Sequence, residues 1–289
     1  MISCRICGGL GNQLFQIFTV IAYSLKYSKS FFFLNNNQLG NGENGSTIRY
    51  TYWETFLNAL QPFLKNMNEL PQLTFIKEKA FSYEPLPENF HNNCATLLVG
   101  YFQSPKYFEK YKDTICKLLK IDVKKFIVKN KVKINFDTSM VISMHFRLGD
   151  YKNYPELYPI LNENYYKKAL EIIMEEVLMM RIQKQAVILY FCEEESLDEV
   201  LNIINKLKTY FPTLHFQRAS PLLSDWEQML LMSLCEHNII ANSTFSWWGA
   251  YLNSNTEKLV CYPEEWFTPK ANKDKDTKDL FLEDWIPIK

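Results

Sequence analysis

The sequence predicts an α/β protein built on parallel sheets, and three observations carry this. The chain opens with a short apolar strand, a glycine turn, an apolar helix and a second strand, a βαβ start. From Met140 onward, apolar runs at 141–145, 186–191, 214–217, 238–241 and 258–262 alternate with helical periods at 165–180, 197–210, 225–235 and 244–252. Polar junctions at 145–150, 217–224 and 242–246 each follow one of these strands. Ligands of parallel sheets sit on that rim, beyond the carboxyl ends of the strands.

Residues 2–7 form the first strand, and Gly8-Gly9-Leu10-Gly11 turns it into a helix over 13–27. That helix carries Leu14, Phe15, Ile17, Phe18, Val20, Ile21, Ala22 and Leu25 nearly all round, so it is expected to be buried. Residues 31–34 are the returning strand. Gly9-Leu10-Gly11 invites a dinucleotide reading, which two facts oppose. Leu14 stands where the third glycine belongs, and no Asp or Glu occurs before Glu43 to hold a ribose. A loop rich in Asn and Gly follows at 35–47. A helix is expected over 50–64, with Trp53, Phe56, Leu57 and Leu60 on one face. Strands are expected at 73–76 and 96–102 and a helix at 105–119. The basic, polar stretch 120–135 separates two expected domains, 1–137 and 138–289.

A chain of 289 residues, 47% hydrophobic, can bury one large or two ordinary cores. Basic and acidic side chains balance at 32 each, so no global field draws nucleic acid or anionic membrane. An anionic ligand must therefore be held by local groups. No apolar run is long enough to cross a bilayer, and Gly8–Gln13 interrupts any signal-peptide core. The expectation is a cytoplasmic protein, with peripheral contact at an inner membrane face left open. Seven cysteines are scattered, apart from Cys4 and Cys7. That pair matches half a zinc site, but no second pair completes it and His91, His145, His215 and His237 lack ligand spacing. Reduced core thiols are expected. Asp274-Lys275-Asp276 has no preceding apolar strand to fix two carboxylates on one ion, so it reads as a solvated charge run.

Two rim segments suit an anion. Ser243, Thr244 and Ser246 fall where a strand passes into a helix carrying Phe245, Trp248 and Leu252 on one side. A helix start leaves N–H groups unpaired and carries partial positive charge, which favours phosphate. The same residues also make an ordinary N-cap. In His145-Phe146-Arg147-Leu148-Gly149-Asp150-Tyr151, an arginine just past a strand can grip a phosphate bidentately. An Arg147–Asp150 surface pair is the plainer reading.

Taken together, Gly8-Gly9-Leu10-Gly11-Asn12-Gln13-Leu14-Phe15-Gln16, His145-x-Arg147-x-x-Asp150 and Asn242-Ser243-Thr244-Phe245-Ser246-Trp247-Trp248 resemble the signature segments of the α-1,2-fucosyltransferases, glycosyltransferase family 11. Gly100-Tyr101-Phe102-Gln103-Ser104 and Tyr262-Pro263-Glu264-Glu265-Trp266-Phe267 are similar too, so the resemblance spans nearly the whole chain. It implies a GT-B architecture, two Rossmann-like domains facing a cleft. It implies inverting transfer from GDP-β-L-fucose to the 2-hydroxyl of a β-galactoside, in an oligosaccharide or glycolipid, without an essential metal or other cofactor. By the same resemblance Arg147 holds the diphosphate, and Ser243, Thr244 and Phe245 cradle it, flanked by Asn242 and Ser246. His145 lies at the nucleotide and Asp225 at the guanine edge. Gly9, Gly11, Asn12, Gln13 and Tyr151 face the sugar and acceptor. Asp150 and Glu156 are the carboxylates near enough in sequence to take the acceptor proton. The family often carries a second arginine where Leu148 stands, so here the phosphate contact rests on Arg147.

Overall fold

A chain dense in apolar helix and strand must bury both faces of a parallel sheet, and the computed structural model shows two such α/β units. Residues 1–39, 48–88, 93–179 and 184–289 are described. The first unit comprises Met1–Val123 and Asp274–Leu282, the second Lys124–Lys273 and Glu283–Lys289. This division differs from the boundary expected at 137/138: it falls within the helix Ile121–Lys131, and a late segment returns to the first unit.

In the first unit, β1 (Ile2–Cys4) leads through Gly8 and Gly9 into α1 (Leu10–Lys26). Gly8 has φ +78°, a region costly for L side chains, and a Cβ there would meet the Asn12 side chain at 2.6 Å. The helix therefore starts at Leu10, earlier than expected, and Gly11, Asn12 and Gln13 are already helical. Fourteen of the 17 residues of α1 are buried, as its all-round apolar pattern requires. Two-residue strands follow: β2 (Phe33–Leu34), β3 (Gln38–Leu39), β4 (Arg49–Tyr50) and β5 (Leu64–Lys65). β2 pairs in parallel with β5, and β3 antiparallel with β4. With β6 (Gln72–Lys77) and β7 (Cys94–Val99), β1 forms a parallel sheet in the order β1-β7-β6.

Two expected helices here are mostly turns. Over 50–64 there is only a 3-10 segment, Asn58–Phe63, with Pro62 inside it. Thr, Tyr, Trp and Phe are weak helix formers and Pro62 lacks an N–H, yet Trp53, Phe56, Leu57 and Leu60 are buried as expected. Over 105–119, two 3-10 turns precede α2 (Lys112–Leu118). The late segment is anchored by Asp279, whose carboxylate accepts the Tyr83 N–H at 3.0 Å and pairs with Lys106.

The second unit begins within α3 (Ile121–Lys131) and carries the larger sheet. Its elements are β8 (Ser139–His145), α4 (Glu163–Met179), β9 (Gln185–Phe191), α5 (Leu197–Tyr210), β10 (His215–Arg218), α6 (Asp225–Met232), β11 (His237–Ile239), α7 (Thr244–Tyr251), β12 (Val260–Pro263) and β13 (Ile286–Ile288). All six strands run parallel in the order β10-β9-β8-β11-β12-β13. β13 was not expected; it is an edge strand, where Pro287 is tolerated.

Side chains alternate across β8. Met140, Ile142 and Met144 join the core made with Tyr166, Leu170, Ile173, Val200 and Ile204 of α4 and α5. Ser143 and His145 face the other way. There Asn238 donates to Ser143 Oγ at 2.7 Å and to the Met232 carbonyl at 2.9 Å, and accepts from Asn253 at 2.8 Å. Burying these groups is tolerable only because they satisfy one another. Asn238→Ala takes the donor from Ser143 Oγ, while Asn253 keeps the Cys235 carbonyl at 2.7 Å and the Met232 carbonyl keeps the Cys235 N–H at 3.3 Å. It is expected to destabilise the protein by about 2 kcal/mol, read as a shifted urea midpoint at unchanged slope.

Candidate functional site

The site is built by strand register. β11 pairs with β8 so that Ile239 lies opposite Met144, and the two strands release their loops side by side. At the end of β8 the His145 ring turns toward α7, where its Nδ1 lies 2.9 Å from Ser246 Oγ and its ring 5.5 Å from that of Phe245. Burial, with the Arg147 charge adding to it, pulls the imidazole from 6.5 down to about 3. It is therefore neutral at physiological pH.

Past His145, the Phe146 N–H still bonds to Phe191, and the Arg147 side chain turns onto the rim. Its Nη2 donates to Asp150 at 2.7 Å and its Nη1 to Glu193, and the guanidinium carbon lies 5.2 Å from the centre of the Tyr151 ring. Burial opposes its charge, but Tyr151, Glu193 and Asp150 outweigh that and hold the proton more tightly than usual. Tyr151 stacks on Tyr158 at 4.1 Å, and its hydroxyl donates to the Asn242 carbonyl at 2.8 Å. A hydrogen-bonded path thus joins the Arg147 loop to the start of α7.

Asn242 is fixed by its Nδ2, which donates to the Pro159 carbonyl at 3.0 Å and the Trp266 carbonyl at 3.3 Å. Its buried Oδ1 and the buried Nε of Arg147 have no hydrogen-bond partner among the described residues. Ser243 is the N-cap of α7, and its Oγ accepts the Phe245 N–H at 3.4 Å. No acidic residue stands in the first turn. The far end is covered by cations: buried Lys125 donates to the Leu252 carbonyl, and Lys258 to the Asn253 carbonyl at 3.0 Å. Cations suit a helix C-terminus.

Asp225 is exposed at the start of α6, its Oδ1 taken by the Trp226 N–H. Its preceding strand, β10, is two places from β8 in the sheet. Glu156 is exposed, and its carbonyl accepts from Thr268. The acceptor-side set is split: Tyr151 belongs to the second unit, within the Arg147 cluster, whereas Gly9, Gly11, Asn12 and Gln13 belong to the first. There Asn12 accepts from Gln103 at 3.0 Å, and Gln13 donates to the Gly8 and Tyr50 carbonyls at 3.1 and 2.8 Å. A Cβ added at Gly9 would meet none of the described residues within 4 Å. Leu148 is buried in the core and offers nothing to the rim.

Two carboxylates were missed from the sequence. Glu193 follows β9 on the same rim, and an acid directly after an apolar strand was the available signal. Glu78, in the first unit, accepts the Tyr101 and Phe102 N–H groups at 2.7 and 2.8 Å, and burial raises its pKa. It had no signal in the sequence.

The family model for glycosyl transferase family 11 matches residues 5–289. The chain belongs to this family. Among its relatives, the O-antigen biosynthesis glycosyltransferase WbnK of Escherichia coli is 28% identical, over 98% of this chain and 99% of that protein. An α-1,2-colitosyltransferase of Escherichia coli is 22% identical, over 100% and 99%. A crystal structure of the α-1,6-fucosyltransferase NodZ with GDP aligns with 87% of this chain and 91% of its own, at 12% identity and a TM-score of 0.45. A NodZ structure from Bradyrhizobium gives 13% and 0.43. The family 11 chain is a glycosyltransferase, and the His145–Asp150 and Asn242–Ser246 segments are joined within its second unit.

A pH effect follows from His145. The unfolded chain takes up this proton near 6.5, the folded protein only near 3, so the stability it contributes is present above 6.5 and lost as pH falls through that window. Between pH 7 and 5 the loss is expected to be about 2 kcal/mol. Urea unfolding at both pH values should show this drop in the wild type and a smaller one in His145→Gln.

Proposed function

We propose that this glycosyltransferase moves L-fucose from GDP-β-L-fucose to the 2-hydroxyl of a terminal β-galactoside, with inversion and without a metal. The observation that supports the donor half is the linkage of Arg147, through Tyr151, to the carbonyl of Asn242 at the start of α7. A guanidinium and a positive helix end that carries only a long Ser243 cap and no acid, on adjacent strand loops, suit an anion without a cation to complete the site. The resemblance of the three motifs, and the family itself, support fucose as the sugar.

In this reading the acceptor oxygen attacks the anomeric carbon as the bond to the diphosphate breaks. Positive charge develops on the ring and negative charge on the departing GDP. Arg147 and the first turn of α7 meet that negative charge as donors, with the Phe245 N–H exchanging its long bond to Ser243 Oγ, 3.4 Å, for the phosphate. Neutral His145, tied to Ser246, holds the two loops in register. The acceptor proton goes to a carboxylate. Asp150 is engaged with Arg147 and Glu156 faces solvent, so Asp150→Asn and Glu156→Gln, compared by kcat, separate the two. Asp225 remains the proposed guanine partner and Gly9, Gly11, Asn12 and Gln13 the acceptor side. Among the described residues no helix is long and apolar enough to cross a membrane, so a glycolipid acceptor would be met from the surface.

A second reading is favoured by the relative named as an α-1,2-colitosyltransferase: the same linkage from a different sugar nucleotide. A GDP-release assay over GDP-, UDP- and CMP-sugars, with lactose and N-acetyllactosamine as acceptors and linkage read by NMR, decides between them. Turnover confined to GDP-fucose is expected, and it should persist in excess EDTA. Arg147→Ala is expected to lower kcat/KM by about 100-fold or more, with far-UV circular dichroism unchanged. Full activity in that variant would remove Arg147 from the donor site.

A further inference from the structure

The guanidinium proposed to meet the donor is already held by two carboxylates. Asp150 comes from its own loop; Glu193 comes from the neighbouring strand. Glu193 directly follows the partly buried Cys192 at the end of β9, with φ −68° and ψ 148°, and opens the 3-10 turn Glu194–Ser196 that leads into α5. Its carbonyl accepts the Ser196 N–H at 3.2 Å, and Ser196 Oγ accepts the Gly149 N–H at 3.2 Å. Lys152 pairs with Glu199 one turn further on. Three contacts therefore stitch the Arg147 loop to the β9–α5 link and the first turn of α5, and the Glu193 carboxylate is the one that touches Arg147.

The loop is also shaped around that carboxylate. A Cβ added at Gly149 would run into Glu193 Oε2 and lie 2.9 Å from its Cδ. No residue but glycine lets the acid lie against the backbone without moving. With Glu193 on Nη1, Asp150 on Nη2 and the Tyr151 ring against it, the guanidinium is fixed on several sides. Among the described residues its buried Nε–H has no acceptor.

The charges oppose this arrangement. One guanidinium and two carboxylates, beside a neutral His145, sum to about −1 where an anion is proposed to bind. A surface ion pair would have little reason to be built so closely. The second acid is explained if its geometry matters more than its charge.

We infer that Glu193 is a positioning residue for Arg147: it fixes the guanidinium so that its remaining N–H groups await the leaving diphosphate, at the expense of donor affinity. This rests on the donor-site reading above. It predicts that acceptor geometry and charge at residue 193 separate in the kinetics. Gln keeps an oxygen for Nη1 and removes the charge; Ala removes both.

The test is steady-state kinetics with GDP-fucose and a β-galactoside for wild type, Glu193→Gln and Glu193→Ala, with GDP affinity by calorimetry and thermal stability alongside. Glu193→Ala is expected to lose about tenfold or more in kcat, with Glu193→Gln recovering most of that loss. Glu193→Gln should lower the donor KM and the Kd for GDP by roughly threefold to tenfold, because a like charge is gone. The inference is overturned if both variants match wild type. It is equally overturned if both lose activity in parallel with a lowered melting temperature, which is a fold role, or if Gln recovers nothing. A wild-type protein that neither binds GDP nor turns over any GDP-sugar overturns the donor-site reading itself, and the role of Glu193 with it. Turnover in the wild type with indifferent variants sinks the role of Glu193 alone.

Discussion

The parallel pairing of β8 with β11 is the constraint on which the candidate site depends. Strands side by side and in step must deliver their following loops to one place, whatever those loops contain. One loop carries a guanidinium and the other begins a helix, and two short polar links, His145 to Ser246 and Tyr151 to Asn242, lock them together. Both links are buried or nearly so, where a hydrogen bond left unmade would be costly. The site is thus held by the same interactions that let polar residues enter the core.

α7 gives the site its polarity. Eight residues long, it is packed by Trp247, Trp248 and Tyr251, with Trp247 stacked on Tyr251 at 4.7 Å and tilted against Trp285 at 5.5 Å. Its C-terminal carbonyls are met by Lys125 and Lys258, while its N-terminal turn has only the Ser243 cap and no acid. A short helix held by aromatic packing, with cations at its negative end and no acid at its positive end, keeps its dipole uncompensated at the Ser243 cap.

Much of this was legible in the sequence because it rests on period and punctuation. The alternation after Met140 gave the strands of the larger sheet except β13, and the buried α1 followed from its all-round apolar pattern. Residues 50–64 were not legible: a face of Trp53, Phe56, Leu57 and Leu60 looks helical, but burial alone does not make a helix where Pro62 and aromatic residues resist one. Glu193 was legible only as an acid after an apolar strand. Nothing in the spacing ties it to Arg147, 46 positions earlier, and only the β8–β9 pairing brings the two together. Asp225 shows the reverse: an acid legible in the sequence at the start of a helix, whose preceding strand β10 is separated from β8 by β9.

The return of Asp274–Leu282 to the first unit, with Glu283–Lys289 going back to the second, means that the backbone passes from one unit to the other three times. No single cut separates them. A fragment ending before residue 274 would lose both the Asp279 anchor to Tyr83 and Lys106 and the edge strand β13. Chain shuffling between relatives at the obvious midpoint would inherit mismatched seams at both places, so each half can be exchanged only together with its own piece of the tail.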